Sequence, residues 1–503
     1  MKRALPVAST KVKTEKYHLL AKGSLFMSHI TVEPANDLGI VTKIKSLADQ
    51  HRSELGFHSR QAYVDSYKKK ELLVAKVDGQ VKGFVRFHHR RDNLTTLYEI
   101  ATTPEFRTKG AGRRLIEAVV ADCRKVGSRC IRLSCPVELP ANHFYETVGF
   151  TRLSRRSSPG KDRPLNHWIL PVLPHRAISF VASLTASSRD LKHLIRTWEA
   201  EGLNEQPFSK CIITPLFIDR PAFEYVRYMH ERWGVDVFFD SGGFFVQQGK
   251  IRYDELFASL LEFYRKHHWG ACYVLPDFVP TSRHSPEEVS ERVFVTAAEG
   301  VKFLKRMPTE LRSRALGVLQ GHTPEHLKFC LEAFLAGGVQ RIGFGSFDTT
   351  GAKAEINLMT DGSARRLAFV RDLIHQGFVN QEIKSVPDLH LFGVSSPNIV
   401  ETFPGYLATS FDSSGWQRTA GFGNVYLPFK GRRNVTHGGA SILSGAGLSA
   451  SKFYAQCELT QHSCPFCRDF SKLQADRFAR MWHNAIVFNE MVRSLNGRSS
   501  QIL

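Results

Sequence analysis

The chain has 503 residues, with 68 Lys and Arg against 48 Asp and Glu and a formal charge of +20. That length calls for two or three domains with ample core, and that charge suits a polyanionic partner, nucleic acid first among them. Nine scattered cysteines exclude a small disulfide-stapled module and point to a reducing cytoplasm, and no apolar run is long enough to span a membrane.

Residues 1–24 carry six Lys or Arg and read as a flexible basic arm. Ala4 to Ser9 is too short and too polar for a signal-peptide core. A first domain is expected over residues 25–175. Two apolar runs, Leu72 to Val77 and Val81 to His88, flank Asp78-Gly79, a strong hairpin signal, and a further strand runs from about Thr95 to Ala101. Then comes Arg107-Thr108-Lys109-Gly110-Ala111-Gly112, opening a helix whose apolar face holds Leu115, Ile116, Val119, Val120 and Cys123. A glycine turn ahead of a helix presents free backbone N–H groups at the positive end of the helix dipole, which suits a pyrophosphate. About thirty residues later stand Asn142-His143-Phe144-Tyr145-Glu146 and Gly149-Phe150.

Together these segments resemble the GNAT acetyltransferases, over roughly 150 residues. The resemblance implies acetyl-coenzyme A as cosubstrate, with residues Arg107, Thr108, Lys109, Gly110, Ala111 and Gly112 on the pyrophosphate and Asn142 in the family's closing motif at the cofactor. It also implies Glu99 as general base and Tyr145 as general acid toward the coenzyme A thiolate. The family's usual acceptor is a primary amine.

Arg155 to Lys161 reads as a polar loop and Pro171 to Pro174 as a hinge. From residue 176 to 503 strands and helices alternate, which argues for a parallel α/β domain of (β/α)8 length. Val235 to Phe239 is a buried strand delivering Asp240-Ser241-Gly242-Gly243-Phe244 to its C-terminal end, where such barrels carry their chemistry. Tyr253 to Lys266 is helical and Cys272 to Leu275 a strand ending in Pro276-Asp277. Ser285-Pro286-Glu287-Glu288 is a capping box opening a helix to about Arg306. Ala315 to Leu319 is a strand ending in Gln320-Gly321, and Thr323-Pro324 caps a helix that ends at Gly337-Gly338. Arg341 to Gly345 is a strand, Ser363 to His375 a helix and Leu389 to Val394 a strand. Phe411-Asp412-Ser413 follows the short apolar segment Tyr406 to Thr409.

This order of strand ends resembles the tRNA-guanine transglycosylases, which exchange a guanine in nucleic acid for a 7-deazaguanine. The resemblance implies Asp412 as nucleophile and Asp240 as general acid/base. Asp277 and Gln320 would bond the edges of the base, with Gly345 or Gly343 as the backbone contact. Phe244, His390 and Phe392 would stack on the base. The chemistry asks for such residues: one carboxylate attacks the anomeric carbon and a second moves the proton, while the base leaves the helix or comes from a loop. After the nucleophile stands Ser413-Ser414-Gly415-Trp416-Gln417-Arg418 in place of the family's usual Cys-Val-Leu-Pro-Thr-Arg. That leans toward the branch that places 7-deazaguanines in DNA, with tRNA as the alternative substrate. A homodimer is the assembly the family implies. A third reading is a barrel that binds nucleic acid without catalysis and recruits the acetyltransferase.

Near the end, Cys464-Pro465-Phe466-Cys467 and His483-Asn484 resemble the same family's zinc motif, with Cys457 or His462 as the fourth ligand and a structural role for the metal. The expected fold is therefore α/β: a GNAT fold, a mixed sheet with helices, followed by a (β/α)8 TIM-type barrel with a C-terminal zinc subdomain.

Overall fold

The structure is a computed structural model. It describes residues 30–496, apart from 91–93, 129, 158–162, 173–175, 204–205, 351–355, 395–399, 401–402, 404–405 and 437–446. The basic arm at 1–24, and Leu173 and Pro174 of the expected hinge at Pro171 to Pro174, lie outside the described residues. By packing, one compact unit takes in the chain up to Arg86 together with Glu99–Ala118, and the second takes in Phe87–Tyr98 and everything from Val119 onward.

The N-terminal sheet contains β1 (Thr31–Pro34), β2 (Leu72–Val77), β3 (Gln80–His89), β4 (Leu94–Thr102), β5 (Cys130–Pro136), β6 (Thr151–Ser157) and β7 (Pro164–Pro171), ordered β1-β2-β3-β4-β5-β7-β6. The β2–β3 hairpin turns on Asp78 (φ 48°) and Gly79 (φ 73°), both left-handed as a tight two-residue turn requires. β4 and β5 are parallel, and among the described residues they pair from Leu94 to Thr96 against Cys130 to Arg132. Arg155 and Arg156, expected in a loop, belong to β6 and pair with Asn166 and Leu165 of β7. The hydrogen-bonded neighbour overrode a composition that locally favours a turn.

A closed, all-parallel barrel follows. Its strands are β8 (Ser179–Ser183), β9 (Lys210–Ile213), β10 (Asp236–Phe239), β11 (Cys272–Val274), β12 (Ala315–Leu319) and β13 (Arg341–Phe344). After a short hairpin of β14 (Asp348–Thr350) and β15 (Ile356–Leu358), β16 (Asp388–Leu391) and β17 (Ala408–Ser413) close it against β8. The capping box expected at Ser285 forms as read: its Oγ accepts from the Glu288 N–H, and Glu288 reaches back to the Ser285 N–H at 2.7 Å. The strands carry buried apolar side chains both into the barrel and outward onto the helices, which is why they read as continuous hydrophobic runs. The long helix Arg477–Asn496 buries Trp482, which donates to the Leu194 carbonyl at 2.8 Å. No described helix is long and apolar enough to cross a membrane, and all nine cysteines are buried with no disulfide between them.

Candidate active site

The barrel opens at its C-terminal end into a cavity of about 590 Å³ lined by residues from most of its strand ends. Asp240, Asp277, Gln320, Gly345, Phe244, Phe392 and Asp412 all reach it. Asp240 follows β10 directly, and its carboxylate accepts from the Thr214 hydroxyl at 2.9 Å. Burial and the nearby carboxylates of Asp277 and Asp412 push its pKa up from 3.8 to about 7.

Asp277 follows β11. One of its oxygens accepts from Ser241 Oγ at 2.5 Å and the other from Gln320 Nε2 at 2.7 Å. Burial raises this carboxyl too, partly offset by those two donors. The small-residue turn has a steric reason: a Cβ on Gly243 would stand 2.3 Å from Asp277 Oδ1. Tyr264 fastens the platform from below by donating to the carbonyls of Phe239 (3.1 Å) and Val274 (2.7 Å), the last residues of β10 and β11.

Asp412 lies within β17 rather than after a short apolar segment, paired with Val181 of β8. Its Oδ1 accepts from the Gly393 N–H at 2.8 Å and faces His390 Nε2 at 3.3 Å, and its carbonyl accepts from the Val394 N–H at 2.8 Å. Gly393 reaches this position with φ 64°, the left-handed region where a side chain is strained.

Two expected base contacts are corrected. His390 does not stack in the cavity. It is 2% exposed, lies inside the barrel beneath the cavity and bonds Ser410 Oγ through Nδ1 at 2.8 Å. Positions two apart along a strand face the same side one layer apart, and the layer at the cavity is taken by Phe392, whose ring meets that of His390 edge-on at 4.6 Å. Gly343 does not face the cavity either: a Cβ there would lie 2.3 Å from the Phe392 ring, so this glycine makes room for the aromatic, and Gly345 is the glycine at the cavity wall. The sequence reading missed Thr214, Ser241, Asn357 and the role of His390. Only Ser241 stood inside a motif that could have shown it.

In the first compact unit, Glu99 is 2% exposed. Its Oε2 accepts from Arg86 Nε at 2.6 Å, while Oε1 accepts from the Tyr63 hydroxyl at 3.0 Å and faces His58 Nε2 at 3.3 Å. Both oxygens are occupied, so direct proton abstraction by Glu99 requires Tyr63 or His58 to move. His58, Tyr63 and Arg86 come from distant segments and carried no sequence signal. Gly110 (φ 88°) turns the chain into the helix Ala111–Lys125, where the Arg114 N–H makes the first helical bond to the Gly110 carbonyl at 3.0 Å. A helix start leaves its first N–H groups without helical partners. Arg107 contacts His51 at 3.1 Å, and Lys109 lies 4.8 Å over the Phe106 ring.

In the second unit Tyr145 is buried against Phe150 and Trp168, which pushes its phenol well above the usual value and keeps it protonated. Asn142 is a structural clasp. Its amide donates to the carbonyls of Pro136 (2.7 Å) and Leu139 (2.8 Å), and its oxygen accepts from Asn166 (2.9 Å) and Trp168 (3.0 Å). Its hydrogen-bonding capacity is filled within the domain, so it can serve a cofactor only by shaping the loop.

Near the C-terminus, the ligand atoms of His462, Cys464, Cys467 and His483 lie within 4.8 Å of one another, all buried. His462 Nδ1 pairs with Glu490 at 2.6 Å and His483 Nε2 donates to the Tyr426 carbonyl at 2.8 Å, leaving the other nitrogens pointed inward. Oriented imidazoles with an outer carboxylate or carbonyl fit a metal. Of the two alternatives for the fourth ligand, His462 joins this group, while the Cys457 thiol bonds Cys467 from the side.

A mixed sheet with a glycine turn ahead of a helix, joined in one chain to a TIM-type barrel with carboxylates at its mouth, defines an α/β protein. The acetyltransferase (GNAT) family matches residues 42–150, so the N-terminal part is a GNAT domain. Solved structures similar to this chain include Ard1 from Thermoplasma volcanium (19% identity, TM-score 0.27, covering 29% of this chain and 98% of that one). Others are yncA from Salmonella typhimurium with its cofactor acetyl-CoA (19%, 0.26, 30% and 98%) and an N-acetyltransferase from Staphylococcus aureus (13%, 0.25, 29% and 99%). No curated protein matches the chain. The family match ends at residue 150, and the reading of the barrel rests on its own geometry.

Proposed function

We propose that this chain is a transferase with two activities. The barrel exchanges a guanine in nucleic acid, DNA in preference to tRNA, for a 7-deazaguanine, and the GNAT domain moves an acetyl group from acetyl-coenzyme A to a primary amine. The observation that supports the barrel's half is the convergence of Asp240, Asp412 and the Asp277–Gln320 pair on one cavity with two aromatic rings. Asp412 attacks the anomeric carbon and forms a glycosyl ester as the guanine leaves. Asp240, with its pKa near 7, gives the proton to the departing base and takes one from the incoming base. Asp277 and Gln320, bonded to each other at 2.7 Å, would offer acceptors and donors to the base's edge, and Phe244 and Phe392 faces for stacking.

In the GNAT domain the turn at 107–112 would hold the pyrophosphate of acetyl-coenzyme A. Tyr145 would return a proton to the thiolate, and Glu99, with its Tyr63 and His58 partners, would serve the amine side. His462, Cys464, Cys467 and His483 would hold a zinc ion, which supplies a cross-link between the C-terminal helices and no catalytic step.

Labelled guanine is offered with duplex DNA, single-stranded DNA and tRNA, with Asp412→Asn as control. Incorporation into one polymer that disappears in the variant supports the reading and names the substrate. No incorporation with any of the three, by a folded protein that still binds acetyl-coenzyme A, overturns it in favour of a barrel that only binds.

A further inference from the structure

The two oxygens of Asp412 are not equivalent. Oδ1 accepts from the Gly393 N–H at 2.8 Å and faces His390 Nε2 at 3.3 Å, while Oδ2 accepts no hydrogen bond among the described residues. A nucleophilic carboxylate only accepts, so on the base-exchange reading the proton of the His390 contact sits on Nε2. Nδ1 is then the acceptor, and the Ser410 hydroxyl donates to it at 2.8 Å. His390 is 2% exposed and meets the Phe392 ring edge-on at 4.6 Å. Ser410, two residues before Asp412 on the same strand, therefore fixes the tautomer of a histidine that holds the nucleophile.

On the reading of the barrel as a base-exchange enzyme, we infer that His390 is a positioning residue that sets the lifetime of the covalent intermediate. Oδ2 is the oxygen that bonds the anomeric carbon. In the first half-reaction the Oδ2–carbon bond forms as the carbon–nitrogen bond to guanine breaks, its electron pair going to the base and the proton coming from Asp240. In the second half-reaction the incoming base's ring nitrogen bonds the same carbon. The carbon–Oδ2 bond breaks, its electron pair returns to the Asp412 carboxylate, and the base's proton passes to Asp240. The two N–H donors at Oδ1 bind the carboxylate more tightly than the ester carbonyl, because the charge is there only before and after the ester exists. They therefore favour breakdown of the ester. Removing one slows the second half-reaction more than the first.

The test uses the full chain and a guanine-containing oligonucleotide, as single-stranded DNA and as tRNA. Adduct formed without free base is trapped on a denaturing gel, then chased with free guanine. His390→Phe should slow the chase about tenfold, the worth of one hydrogen bond to a charged group, so that adduct accumulates. His390→Gln, which keeps an N–H donor, should restore much of the rate. A merely structural defect would lower the adduct yield and would not lengthen its life. If His390→Phe does not fold, Ser410→Ala, which removes only the tautomer-fixing hydroxyl, decides the matter by the same lengthening. A chase at the wild-type rate in the folded variant overturns the role of His390 while leaving base exchange intact. No adduct from the wild-type chain with either polymer overturns the base-exchange reading, and this inference with it.

Discussion

Replacing Asp240 by Asn should stabilise the protein at alkaline pH while abolishing base exchange. The cause is the cost of holding a charged carboxylate where burial, Asp277 and Asp412 all oppose it. With a pKa of 3.8 in the unfolded chain and about 7 in the folded one, the folded state keeps a proton that the unfolded chain gives up. Stability from this group is fully present below about pH 4 and is lost as pH rises through about 7. At about 1.36 kcal/mol per unit, the loss reaches roughly 4 kcal/mol above pH 8. Asn is neutral throughout and keeps an acceptor for the Thr214 hydroxyl. Allowing about 1 kcal/mol for imperfect replacement, the variant should gain roughly 3 kcal/mol at pH 8.5 and lose about 1 kcal/mol at pH 4. Thermal unfolding of both proteins across that range reads the effect as a difference of roughly 3–5 °C at the alkaline end. A pH-independent difference, or a variant less stable at pH 8.5, would refute the electrostatic argument.

Four further outcomes follow from the geometry. Because Asp240 must be protonated to release the base, the exchange rate of the wild-type chain should fall about tenfold per pH unit above about 7, measured as label incorporation. Gly243→Ala should displace the Asp277 carboxylate, raising KM for the nucleic acid with an apparent loss of about 1–3 kcal/mol in kcat/KM. Tyr145→Phe should cut acetyl transfer by on the order of a hundredfold in a coenzyme A release assay, with acetyl-coenzyme A binding unchanged by calorimetry. One equivalent of zinc should be found by elemental analysis, and His483→Ala should remove it and lower the unfolding temperature by roughly 10 °C or more.

The sequence alone determined the order of the elements and the residues at the strand ends. Period-2 and buried apolar runs, capping boxes and glycine turns are local signals, set by the backbone within a few residues. So Asp78-Gly79, Ser285 with Glu288, and the strand-end positions of Asp240, Asp277 and Gln320 were legible without coordinates. The family resemblance, and not spacing alone, pointed to the five candidate metal ligands.

Tertiary structure decided what touches what. His390 and Phe392 differ by two positions on one strand, yet one lies beneath the cavity and the other in its wall, because the barrel's interior is layered and the strand ends between the layers. Gly343 serves the Phe392 ring, and Gly345 the cavity, for the same reason. Arg155 and Arg156 became strand because β7 supplies their hydrogen bonds, and Glu99 became a buried acceptor because Arg86, Tyr63 and His58 converge on it from other segments. Hydrogen-bond partners and desolvation come from neighbours distant in sequence. The raised pKa of Asp240 and the unequal oxygens of Asp412 therefore exist only once the chain has closed its barrel.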